Sequence, residues 1–134
     1  MGAFTMKKYA NKSILVAEDH PDGRKLVVRL LDKMGITNVV AVTNGQEAQE
    51  QLQGQAFDLL LADWHMPKMD GLELLKVAKA DSSLKHLRVL MVTANDDKEH
   101  ILQAILAGAD GYLVKPVTQE RLQQKLEDIF KDEE

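Results

Sequence analysis

The sequence has no cysteine among its 134 residues, which removes disulfides, thiolate catalysis and Cys-ligated zinc together. It also lacks an apolar run near the roughly 18 residues needed to cross a bilayer. The opening MGAFTMKKYANK has no apolar stretch of signal-peptide length. The chain is therefore expected to be cytoplasmic, without membrane contact. Basic charge is in short supply: 17 Lys and Arg against 21 Asp and Glu leave a net charge of −4 and a pI near 5.6. That balance argues against nucleic acid as a partner, which a basic face would serve. Linkers, internal repeats and low-complexity tracts are absent too. With 45% hydrophobic and 28% charged residues, the composition is that of an ordinary globular protein. Its length suits one domain. Residues 1–12 are read as an N-terminal extension, whose first five residues before Met6 could be a cloning remnant, and 13–131 as the folded domain.

What is present alternates between two hydrophobic periods. SILVAED (Ser13 to Asp19) is a short apolar run ending in acids, the pattern of a strand buried on both faces. PDGRKLVVRLLDKMG follows with Leu26, Val27, Leu30, Leu31 and Met34 at helical spacing, Pro21 near its start and Gly35 past its end. Further strands are read at Val39–Val42, Asp58–Asp63, Arg88–Ala94 and GYLVKP. Between them lie helical stretches, and Thr118 is a plausible N-cap for the last helix. Five strand–helix units in strict alternation imply right-handed crossovers and a parallel sheet with helices on both faces. Ligands of such folds bind beyond the carboxyl ends of the strands.

Those ends carry Glu18–Asp19, Asp63, Thr93 and Lys115. Two carboxylates about 5 Å apart repel by roughly 3 kcal/mol at an effective dielectric near 20. Three acids at one rim are too costly to serve stability alone, and clustered acids usually hold a cation. Oxygen-only ligands favour a hard divalent ion, Mg²⁺ where phosphate chemistry is near. A carboxylate beside Mg²⁺ is also a competent nucleophile toward phosphorus. Phosphoryl transfer asks chiefly for positioning and charge neutralisation, which the metal, the Lys115 ammonium and the Thr93 hydroxyl would supply.

At these residues the chain resembles the receiver domains of two-component response regulators, and among them the single-domain chemotaxis regulators of the CheY type. AEDHPDGRKLV, ADWHMPKMDGLELLK, VLMVTA and GADGYLVKPVT carry the likeness, which runs from about Ser13 to Phe130. It implies a doubly wound, flavodoxin-like five-stranded sheet of order 2-1-3-4-5, a three-layer sandwich. By motif position, Asp63 matches the phosphorylated aspartate, and Glu18, Asp19, Asp63 and the main-chain carbonyl of His65 match the Mg²⁺ site. Thr93 and Tyr112 match the switch pair and Lys115 the phosphate-contacting lysine, with a cis Lys115–Pro116 bond. His65 and Asn95 depart from the usual residues flanking the attacking water, so they are expected to tune dephosphorylation. The implied partners are a sensor histidine kinase of the CheA type and a downstream protein, the flagellar motor switch being the leading target. The target surface is expected at Lys98, Ile101, Ile105, Tyr112, Lys115 and Lys125. The resemblance further implies a monomer with no output domain, catalysing only its own phosphorylation and dephosphorylation rather than acting as an enzyme.

Plainer readings exist for each residue. Glu18–Asp19 could cap the Pro21 helix, Asp63 could simply end a strand, and Thr93 could be a β-branched filler. Lys115 could be solvated, and Tyr112 a core aromatic. Trp64 is expected to be a partly exposed neighbour of the site, and His100 a solvated surface residue. Met66, Met69 and Met91 are expected to pack. Three rival functions share the topology: a receiver acting as phosphate sink or relay or serving pili, a flavodoxin-type carrier, and a Mg²⁺-dependent phosphatase with an aspartate nucleophile. The flavodoxin reading needs a phosphate-cradling Ser/Thr/Gly loop where EDHPDG stands. The phosphatase reading needs a second aspartate at the place of His65, and a substrate-recognising cap.

Overall fold

Alternating hydrophobic periods become alternating elements in the computed structural model, which describes residues 7–133. In chain order these are β1 (Ile14–Ala17), α1 (Pro21–Lys33), β2 (Val39–Val42), α2 (Gly45–Gly54), β3 (Leu59–Ala62), α3 (Gly71–Ala80), β4 (Arg88–Thr93), α4 (Lys98–Leu106), β5 (Gly111–Val114) and α5 (Gln119–Phe130). The sheet is parallel with order 2-1-3-4-5, as the resemblance implies. Every residue of β1 and β3 is buried, so both faces of the central strands are covered.

Strand alternation sorts the interior into two layers. Ile14, Val16, Leu59, Leu61, Leu90 and Val92 face α1 and α5, while Leu15, Leu60, Val89 and Met91 face α2, α3 and α4. Helix punctuation follows the sequence. Pro21 opens α1, and Gly35 follows its end at φ +83°, the left-handed region that favours glycine. Asn44, Asp70 and Thr118 each accept a hydrogen bond from a backbone N–H inside α2, α3 and α5.

Residues 1–6, and with them the start of the expected extension, lie outside the described residues. The rest of that stretch is tied to the domain. Lys7–Tyr9 forms a 3₁₀ turn, Tyr9 is 3% exposed, and its ring lies 6.0 Å from that of Phe130 in the α1/α5 layer. No helix among the described residues is long and apolar enough to cross a membrane.

Candidate functional site

The sheet ladder runs one step past the strands, and that step fixes the site. The backbone N–H of Glu18 donates to Val42 O (3.1 Å), that of Asp63 to Ala17 O (3.0 Å) and that of Lys115 to Thr93 O (2.9 Å). Three side chains from β1, β3 and β5 are thereby set at one rim with their main chains still paired. The loop after β3 is closed by Gly71 N–H donating to Trp64 O at 2.8 Å. A side chain at Gly71 would bring its Cβ to 2.1 Å from Asp63 O, so only glycine lets α3 begin this close to the site.

Glu18, Asp19 and Asp63 each present a carboxylate oxygen within 4.8 Å of the others. Glu18 and Asp63 are buried and Asp19 is exposed. Lys115 Nζ sits 2.5 Å from Glu18 Oε1 and 2.9 Å from Asp63 Oδ2, spanning two buried acids. Burial raises the Glu18 carboxyl above its ordinary pKa; the Lys115 bond opposes this, and the Asp63 charge adds to it. Burial works against the Lys115 charge, but its bonds to Glu18 and Asp63 together outweigh it and raise that pKa. Arg24 of α1, which the sequence did not single out, donates from Nη1 to Glu18 O (2.9 Å) and Asp19 O (3.3 Å), pinning the loop that carries both acids.

The donor set tests the fit of a divalent cation: three oxygen ligands converge, one of them open to solvent beside a cavity of about 420 Å³ lined by Asp19, His65, Met66 and Asp70. A hard ion suits such ligands.

Asn95 gathers the remaining candidates. Its backbone N–H donates to Thr93 Oγ1 (3.3 Å), its carbonyl accepts from Tyr112 Oη (2.6 Å), and its side-chain amide lies 2.9 Å from His65 Nε2. Thr93 is fully buried and Tyr112 half-buried. Burial raises the Tyr112 pKa, helped by Asp97, Asp96 and Asp63, so its hydroxyl stays a donor. The expected pairs Thr93–Tyr112 and His65–Asn95 thus meet at one residue.

Two expectations are corrected. Trp64 is 6% exposed, because it turns into the α2–α4 layer instead of outward. His100 is not simply solvated: its Nδ1 pairs with Asp97, and its ring meets Trp64 edge-on at 4.7 Å and 73°. Of the expected target surface, Lys98 and Ile105 are exposed, while Ile101, Lys115 and Lys125 are half-buried. Leu102 (55% exposed) and Leu106 (77%), which were not among the residues anticipated, are also exposed. They lie on α4 opposite its one buried side chain, Ala104.

Five parallel strands with acids just past the first and third and a lysine just past the fifth are the arrangement of a signalling receiver domain. The chain belongs to the response regulator receiver domain family, whose model matches residues 14–127. It is 43% identical to the chemotaxis protein CheY of Pseudomonas aeruginosa over 117 residues, 87% of this chain and 94% of that one. Chemotaxis protein CheY-3 of Vibrio cholerae is 42% identical over 120 residues, covering 90% and 92%. Among solved structures, Vibrio cholerae CheY4 superposes with a TM-score of 0.82 at 30% identity, covering 88% of this chain and 98% of that one. The Francisella response regulator 1452 receiver domain also gives 0.82, at 26% identity over 92% and 100%.

Proposed function

We propose that this chain is a phosphorylation-switched signalling receiver whose acceptor is Asp63. An Asp63 carboxylate oxygen attacks the phosphorus of a phosphohistidine presented by a sensor histidine kinase of the CheA type. The P–N bond breaks, the electron pair leaves with the imidazole, and solvent protonates the ring. Mg²⁺, held by Glu18, Asp19, Asp63 and the His65 carbonyl, would neutralise charge on the phosphoryl oxygens. Lys115 then exchanges its contact with Asp63 for a phosphoryl oxygen as a point charge, and the Thr93 hydroxyl donates to another. That hydroxyl now holds the Asn95 amide, so its movement is transmitted through Asn95 to Tyr112 and the rim of α4 and β5. The bridged His65 and Asn95 side chains set the approach of water and hence the phosphoryl lifetime.

The observation that carries this reading is the ammonium of Lys115 shared between two buried carboxylates beside a third. Output by binding, rather than service as a phosphate sink, is favoured by the outward apolar residues Leu102, Ile105 and Leu106 of α4. With CheY proteins as relatives, the leading target is the flagellar motor switch, reached by a cytoplasmic monomer. Acetyl phosphate with Mg²⁺ should add one phosphoryl group by intact mass to the wild type and none to Asp63→Asn. An equal adduct on both would overturn the assignment. Beryllofluoride-treated protein should enrich motor-switch protein in a pull-down; no enrichment would favour a sink, a relay or another pathway.

A further inference from the structure

Gly23 is the third residue of α1, a position where glycine is disfavoured relative to alanine. Its backbone gives no reason for the choice: the glycines at positive φ among the described residues are Gly35 and Gly108. Its surroundings do. A Cβ at Gly23 would lie 3.0 Å from Glu18 Oε1, 3.4 Å from its Cδ and 3.5 Å from its Cγ, meeting the outer half of that one side chain. The first of these distances is closer than ordinary van der Waals contact.

Glu18 has little room to yield. It is 4% exposed, Lys115 Nζ holds Oε1 at 2.5 Å, and Oε2 accepts the His20 backbone N–H at 3.2 Å. A glutamate reaches one methylene further than an aspartate, and that added length is the part lying over Gly23. We infer that Gly23 is a positioning residue: the missing side chain is what lets a glutamate at position 18 turn its carboxylate into the acidic cluster. Positions 18 and 23 therefore act as one coupled pair in cation binding. This rests on the Mg²⁺-dependent reading above, to which it adds a residue that touches neither cation nor phosphoryl group.

The test is a cycle of wild type, Gly23→Ala, Glu18→Asp and the double variant, read by calorimetric Mg²⁺ titration and by metal-free thermal unfolding. Gly23→Ala should weaken Mg²⁺ binding about tenfold when Glu18 is kept, and by less than about twofold when Glu18→Asp is already in place, where the clash is gone. Without metal, the alanine should raise Tm by about 2–4 °C in the Glu18→Asp background and give no rise in the Glu18 background. An equal Mg²⁺ loss in both backgrounds, or the same Tm increment in both, would overturn the inference while leaving the receiver reading intact. A wild type that binds no Mg²⁺ would overturn the receiver reading and the cation role of this pair. The metal-free cycle would then still decide the steric coupling.

Discussion

Lys115→Met is the perturbation that most directly exposes the electrostatics of the rim. At an effective dielectric near 20, contacts of 2.5 and 2.9 Å from the ammonium to Glu18 and Asp63 are each worth roughly 6 kcal/mol of attraction. Carboxylate oxygens no more than 4.8 Å apart repel by at least roughly 3.5 kcal/mol a pair. Desolvation offsets much of the attraction, and the Lys115 side chain keeps 29% of its exposure. The net loss should therefore sit around the low end for breaking a buried pair, about 2–4 kcal/mol. For a chain of this length that lowers Tm by roughly 8–15 °C in chelator.

Saturating Mg²⁺ should then restore more in the variant than it adds to the wild type, because no ammonium competes for the same oxygens. The pH dependence has a definite sign. The raised pKa of Glu18 means that its ionisation costs stability as pH rises through the folded value. Without the Lys115 bond that cost grows, so the deficit is largest near pH 8 and shrinks as pH falls and Glu18 takes up a proton. The contribution from Lys115 itself is lost only as pH climbs through its own raised value, above this range. Differential scanning fluorimetry across pH, with chelator or Mg²⁺, reads all of this. A variant as stable as wild type near pH 8, or one gaining no more from Mg²⁺, would refute the reasoning.

Three further outcomes are expected. Lys68 holds φ at +70°, so Lys68→Gly should gain about 1 kcal/mol in urea unfolding, with Mg²⁺ affinity unchanged. Tyr9→Ala should lose about 3 kcal/mol by emptying a buried aromatic site against Phe130, and removal of residues 1–12 should lose at least as much; stability unchanged in both would place Tyr9 outside the folded unit. His100→Ala removes the edge contact on Trp64 and should shift the tryptophan emission while lowering stability by about 1 kcal/mol, whereas an unaltered spectrum would discount the contact.

The fold was legible because its signals are local and periodic. Buried parallel strands read as apolar runs, and Pro21, Gly35 and Thr118 mark the helix ends where they stand. The rim was legible because topology alone carries each strand end to the same side. Single side chains in unpatterned surroundings were not. Tyr9 sits in a polar stretch whose docking depends on Phe130, far along the chain. His100 has no ligand-spaced neighbour in sequence, yet folding places Trp64 against it. Arg24 looks like any helix-surface cation until α1 is seated over the Glu18 and Asp19 carbonyls. The resemblance placed His65 and Asn95 on either side of the site, but their mutual bond depends on loop geometry that motif spacing does not encode.

The helix that turns its leucines outward is also the one with least beneath it. α1 buries three side chains and α5 four, but α4 buries only Ala104. Nine residues are too few to hold a helix in water without tertiary support. Opening α4 therefore sacrifices little packing, and its amides should exchange with solvent well before those of α1 and α5. A binding partner that covered Leu102, Ile105 and Leu106 would slow that exchange, giving the helix the packing that its own sheet withholds.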